Sequence, residues 1–236
     1  MRAKKQFLEA RSICNVDMKE YGLIWERVLK KQLSAIVTME ELIASVQGTL
    51  PVMEPSQPEL EGAHCTDVDY LVLLNMEFEE HDDTLFLEAE AVAAEMKFEF
   101  HKGPSKKDER CMEKAELSYQ DNFARLKDLR RASIVCATVD EICLLIPALQ
   151  SRLTLLRVKN RFRRDFDANN ESAGYRDLQF NVQVPGTKLI WELQVHLADI
   201  EEFKTKNRDV ADASGRTGHN RYVAFRAIKE RLGKKE

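Results

Sequence analysis

The stretch from Gly174 to His196, GYRDLQFNVQVPGTKLIWELQVH, alternates apolar and polar residues twice, on either side of a Pro-Gly turn. Residues alternating with period two line opposite faces of a strand. Leu178, Phe180, Val182 and Val184 thus share one face, opposite Asp177, Gln179, Asn181 and Gln183. In the second run Leu189, Trp191, Leu193 and Val195 oppose Lys188, Ile190, Glu192, Gln194 and His196. For both apolar faces to reach one core, even-numbered residues must pair with odd-numbered ones, so the connecting loop has two or four residues. A two-residue Pro185-Gly186 loop would need φ > 0 at proline, which the ring forbids. The spacing therefore predicts a four-residue loop, Pro185 to Lys188, setting Asn181 opposite Glu192, Gln179 opposite Gln194 and Asp177 opposite His196. A polar hairpin face is ordinarily just solvated. Asp, Asn and Gln are poor strand residues, however, and their concentration here points to a ligand.

Around this hairpin the chain divides into an acidic helical region, 1–100, and an α+β region, 101–236, built on a mixed β-sheet flanked by helices. Helical spacing predicts segments over 17–36, 38–48, 67–80 and 84–101, with Thr38-x-x-Glu41 as a capping box and Gly103 closing the last. The proline-rich LPVMEPSQPELEG reads as a loop. Ser105-x-x-Asp108 opens a charged helix, RASIVCAT and TLLRVKNRF read as strands, and Thr138-x-x-Glu141 caps a helix interrupted or kinked near Pro147. Helices close the chain near 197–206 and 219–232. The formal charge of −4 hides a split. Residues 1–100 carry 9 Lys+Arg against 20 Asp+Glu and 101–236 carry 27 against 20, so the second half suits anionic ligands. Apolar runs such as YLVLL are far below the roughly 20 residues of a membrane span, and MRAKKQFLEAR lacks a signal-peptide core. Five scattered cysteines without C-x-x-C indicate neither a disulfide framework nor zinc, and with them a reducing, cytoplasmic setting.

In their order and spacing, GYRDLQFNVQV, WELQVHL and GHNRY resemble the nucleotidyltransferase domain of RelA/SpoT-type alarmone synthetases. The likeness continues upstream through KGPSKKDERCMEKA, RLKDLRRASIV and LLRVKNRF and covers about residues 101–226. It implies Mg²⁺-dependent transfer of pyrophosphate from ATP to the 3′ oxygen of a guanosine or adenosine nucleotide. The family's D-x-x-G-x-R places a magnesium-binding carboxylate at Asp128, with Arg131 and Ser133 where Gly and Arg are usual; Arg130 or Arg131 is the candidate replacement for the lost arginine. G-Y-x-S-x-H becomes Gly174, Tyr175, Asp177 and Gln179, keeping the tyrosine that stacks on the acceptor base. E-x-Q-I-R-T becomes Glu192, Gln194 and His196, keeping the second metal carboxylate and the glutamine. H-x-x-Y-K becomes His219, Tyr222 and Val223. Lys102, Lys106, Lys107 and Arg110 are candidates for the ATP phosphates, and Lys159 and Arg161 for the same cleft.

On this reading Asp128 and Glu192 hold Mg²⁺ against triphosphate oxygens, as this hard cation takes a few carboxylates plus phosphate and water. Asp128, Glu192 and Gln194 form the catalytic set, and Asp177, Glu192 or His196 is the candidate proton acceptor. Two alternatives stay open. The substitutions at 133, 177, 179, 196 and 223 suit a degenerate nucleotide- or RNA-binding module. The basic series Arg152, Arg157, Arg161, Arg163 and Arg164, ordinarily a solvated face, would equally suit an RNA acceptor. The helical region, 1–100, is the candidate surface for a protein partner. His81-Asp82 lacks the further spaced ligands of a metal-dependent hydrolase, so no alarmone hydrolase is expected.

Overall fold

A computed structural model of the chain describes residues 2–233. Its elements in chain order are α1 (Arg2–Ile13), α2 (Asn15–Thr49), α3 (Val68–Glu80), α4 (Leu87–Met96), β1 (Glu99–Lys102), α5 (Asp108–Tyr119), β2 (Arg131–Cys136) and α6 (Val139–Arg152). There follow β3 (Thr154–Asn160), α7 (Ala168–Ser172), β4 (Leu178–Gln183), β5 (Ile190–Leu197), α8 (Ala198–Asn207) and α9 (Gly218–Gly233). The fold is α+β, a five-stranded mixed sheet flanked by helices, ordered β1-β2-β5-β4-β3, with β2 parallel to β5 and the other pairs antiparallel.

The hairpin takes the register its turn chemistry dictates, with Asn181 paired to Glu192 and Gln179 to Gln194. The Val184 N–H donates to the Leu189 carbonyl, closing a loop of Pro185 to Lys188. The apolar face of the sheet is covered. Ala132, Ile134, Phe180, Val182, Leu193 and Val195 share one buried cluster with Ile142, Leu145 and Leu149 of α6 and Ile36 and Met39 of α2. Among the described residues no helix is long and apolar enough to cross a membrane.

Several helix boundaries differ from the sequence expectation. The segments 17–36 and 38–48 are one helix, α2, kinked at Gln32 (φ −131°, ψ 28°). Thr38 does not cap; its hydroxyl donates back to the Ser34 carbonyl, an alternative always open to threonine inside a helix. Gln32, freed at the kink, accepts from the Val139 N–H at the start of α6. The helix expected over 84–101 stops at Met96, where Lys97 turns left-handed (φ 60°), and EFHK then pairs with β2 as an edge strand. Phe100 packs edge-on against Phe86, 6.4 Å between centroids, and cross-strand pairing overrides the helical propensity of what precedes it. The box at Ser105 is not used, since α5 begins at Asp108 without a side-chain cap. Thr138 does cap α6, accepting from the Glu141 N–H, while the Glu141 carboxylate accepts from Ala137 N–H. α6 runs unbroken through Pro147.

Candidate functional site

The polar face of the sheet is a set of cross-strand rows. Arg157, Asn181, Glu192 and Arg131 lie side by side across β3, β4, β5 and β2. The next row is Lys159, Gln179, Gln194 and Ser133, with His101 of β1 at its end. Over these rows lies a cleft of about 900 Å³ walled by α5, α8, α9 and the first turns of α2. Lysines and arginines outnumber carboxylates in its lining by thirteen to six. Concave walls carrying one sign of charge concentrate the field and draw polyanions.

Asp128 reaches this cleft from the segment leading into β2, fixed by Leu126 and Leu129, both fully buried. Lys106 Nζ donates to its Oδ2 at 2.6 Å, and Lys114 Nζ lies 2.9 Å from Oδ1. Burial opposes its charge, yet Lys114 and Lys106 hold the Asp128 carboxyl well below the usual carboxylate range. Burial lowers the Lys106 pKa in spite of that carboxylate, whereas at Lys114 burial is outweighed by Asp128, Tyr119 and Glu192 acting together, which raise it. Lys106 is brought here by the pairing that continues past β1, where the Gly103 N–H donates to the Arg131 carbonyl and the Lys106 N–H to that of Leu129. Gln194 donates to Glu192 Oε1 at 2.6 Å. Burial on the sheet, and after it the charge of Asp128, raises the Glu192 pKa. The two carboxylates, 64 residues apart in sequence, line the same cleft.

Of the residues singled out in the sequence, the cleft is lined by Lys106, Lys107, Arg110, Asp128, Arg131, Lys159, Arg161, Tyr175, Asp177, Gln179, Glu192, Gln194, His219 and Tyr222. Lys102, Arg130 and His196 are not in that lining. Lys102 pairs with Glu90 of α4 at 2.8 Å. Arg130 donates to Asn75 of α3 and lies over the Phe78 ring, 5.2 Å away, so of the two candidate replacement arginines Arg131 is the one in the cleft. The Asp177–His196 pair anticipated from the register does not form. Asp177 precedes β4 and turns to Arg161, whose guanidinium donates at 2.7 Å, with Gln179 on its other oxygen. A cation is the stronger partner for a buried carboxylate than a neutral imidazole. His196, 1% exposed, shares a 2.8 Å hydrogen bond between its Nδ1 and the Tyr175 hydroxyl. Burial, followed by Lys204, His101 and Arg161, holds its pKa well below the ordinary value.

Tyr175 is positioned by Gly174, whose φ is +88° and where a Cβ would come within 2.9 Å of Met18 Cα. That close approach sets the Tyr175 ring edge-on to Tyr21 of α2, 5.7 Å between centroids, with Lys204 Nζ 5.4 Å from its centre. Other lining groups escaped the sequence reading. Lys114 follows Lys107 and Arg110 at helical spacing, a signal that one basic face of α5 reaches the cleft. Lys127, Lys204, Arg208, Arg226 and Lys229 come from three separate segments, and Asp17 and Tyr21 from the acidic region, with no local pattern to announce them. Of the basic series in 152–164, Arg152 pairs with Glu95 and Arg164 with Glu40, both away from the cleft.

At 4% and 8% side-chain exposure, Arg221 of α9 and Asp17 of α2 form a doubly hydrogen-bonded ion pair, 2.7 and 2.8 Å, beside the cleft. Nearby, Ala10, Cys14, Met18, Ala173 and Phe225 form a second small core, separate from that of the sheet.

The domain is thus α+β, with a mixed sheet, flanking helices and a cationic, carboxylate-bearing cleft on its polar face. The chain is similar to the small alarmone synthetase 1 from Bacillus subtilis bound to its product pppGpp, at 16% identity and a TM-score of 0.49 over 72% of this chain and 95% of that one. It is also similar to a GTP pyrophosphokinase family protein from Streptococcus pneumoniae, at 13% identity and a TM-score of 0.45 over 72% and 92%. A chain from the complex between a type VI effector and its immunity protein matches at 16% identity and a TM-score of 0.43 over 74% and 100%. No protein-family model and no curated protein matches the sequence.

Proposed function

We propose that this chain transfers pyrophosphate from ATP to the 3′ hydroxyl of a second nucleotide. The observation that supports this most is that Asp128 and Glu192 line one cleft in which cations exceed carboxylates. Lys106, Lys107 and Arg110 at one wall and Lys159 and Arg131 on the floor suit triphosphate oxygens, and a cleft of about 900 Å³ has room for two nucleotides.

Magnesium fits the residues present. Both Asp128 oxygens face the cleft with only the Lys106 and Lys114 ammonium groups beside them, and Glu192 is a carboxylate whose charge is disfavoured by burial. Among the described residues no three acidic, histidine or cysteine side chains group to hold a metal ion unaided, so phosphate oxygens would complete the set around these two. When bound, Mg²⁺ would neutralise charge on the transferred group. The chain's own part is to position and to screen. Lysines and arginines fix the triphosphate, and the transfer depends on orientation and charge stabilisation rather than on a covalent enzyme intermediate. Of the three candidate proton acceptors, His196 lies outside the cleft lining and both Asp177 oxygens are engaged, while Glu192 is engaged by the protein only at Oε1.

A second reading, a nucleotide- or RNA-binding module without catalysis, is favoured by one observation. The Tyr175 ring, which the resemblance assigns to base stacking, already meets Tyr21 and Lys204. The two readings separate on incubation with labelled ATP, Mg²⁺ and GTP, GDP, ATP, ADP or tRNA. Transfer that disappears in Glu192→Gln supports the enzyme; binding of ATP with no transfer to any acceptor supports the module.

A further inference from the structure

At one end of the cleft the chain places an anion of its own. Lys127, 8% exposed, is ion-paired to Glu54 Oε1, and Arg157 Nη1 donates to the same oxygen at 2.9 Å. Both cations line the cleft, while Glu54 belongs to the proline-rich loop after α2. Beside Arg157 in the cross-strand row stands Asn181, 7% exposed, lining the cleft, its amide without a hydrogen bond. With no protein partner, this amide opens to the cleft and is available to a ligand as a donor. Two cations converging on one carboxylate oxygen, next to an idle amide donor, form the donor set that binds a phosphate.

The loop is built so that Glu54 can leave without disturbing the core. Three residues on, Gln57 is 3% exposed and pinned: its amide donates to the Leu126 and Ile190 carbonyls at 2.8 and 2.7 Å and accepts from the Ile190 N–H. On the other side Val52 and Met53 are 104% and 82% exposed. The Glu54 side chain itself is 49% exposed, in the range where ion pairs contribute little and yield to a competing anion.

We propose that Lys127, Arg157 and Asn181 form a phosphate subsite of the cleft, and that Glu54 occupies its anion position until a polyphosphate displaces it. The identity of the ligand as a nucleotide phosphate rests on the function proposed above; the subsite does not. The test is calorimetric titration of the full chain with inorganic tripolyphosphate at low salt. Glu54→Gln is expected to bind about two- to fivefold more tightly than the parent, the scale of a part-exposed ion pair. Glu61→Gln removes the same charge from the same exposed loop, where no ion pair involves it, and is expected to leave the affinity unchanged. Adding Arg157→Gln to Glu54→Gln is expected to cancel the gain. An unchanged affinity in Glu54→Gln, or an equal gain in Glu61→Gln, overturns the subsite. Because binding needs no transfer, a protein that shows this pattern yet moves no pyrophosphate would refute the catalytic reading alone.

Discussion

Arg221→Met separates a load carried by one ion pair from one carried by packing. Arg221 donates to both oxygens of Asp17, at 2.7 and 2.8 Å, and to the Arg216 carbonyl at 2.8 Å, while Asn207 donates to Asp17 as well. Methionine keeps much of the aliphatic volume and removes every one of the guanidinium's bonds. Deleting one member of a buried pair usually costs about 3–5 kcal/mol, because the other charge is left without compensation. Asp17 lines the open cleft and keeps Asn207, so water and one amide soften the loss, and the low end, about 3 kcal/mol, is expected. Urea unfolding monitored by circular dichroism would report it as a lower midpoint at unchanged slope. The double variant Asp17→Asn, Arg221→Met should lose less than the sum of the singles, since neither leaves a lone charge. A loss below about 1 kcal/mol, or strict additivity, would place the pair with ordinary solvated ones and refute the reasoning.

Glu192→Gln is expected to lower any transfer rate by at least about a hundredfold. Its thermal midpoint should rise, because burial and Asp128 disfavour the charged form; a lower midpoint would contradict this. His196 gives a pH dependence of defined sign. Its folded pKa is held well below the ordinary value by burial, so below about pH 6.5 the unfolded chain binds the extra proton. Stability from this group is complete above that pH and falls by up to about 1.4 kcal/mol per unit as acid is added. His196→Gln should flatten the slope between about pH 6 and 5 measured by urea unfolding, and an unchanged slope would refute it. Thr138→Ala removes the cap of α6 and is expected to cost about 1 kcal/mol in the same assay, against no loss if the cap is idle.

The hairpin was legible because two independent constraints, the period-two alternation and the inability of Pro185 to adopt positive φ, left one register. Asp128 and Glu192 could be paired only through resemblance, since no local pattern links residues on separate segments. β1 was hidden for a different reason. It has four residues, of which only Phe100 is even half-buried, and what makes it a strand is the neighbour it pairs with, not its own composition. The fate of Asp177 shows the limit of register arguments: backbone pairing fixed where the side chain starts, but the nearest cation, Arg161, decided where it went. The contributions of Asp17, Tyr21 and α9 to the cleft depend on how distant helices pack, which spacing along one element cannot encode.

The small core of Ala10, Cys14, Met18, Ala173 and Phe225 shares no members with the large one behind the sheet. The cleft accordingly lies between two cores bridged by α2, and in the smaller one α1 packs on α9 beside the Asp17–Arg221 pair. Moving α9 aside would break the Asp17–Arg221 and Lys229–Glu171 pairs, the His219 N–H bond to the Arg208 carbonyl and this small core, while the strand pairing stays intact. Such a movement would be a local excursion, well short of unfolding the molecule.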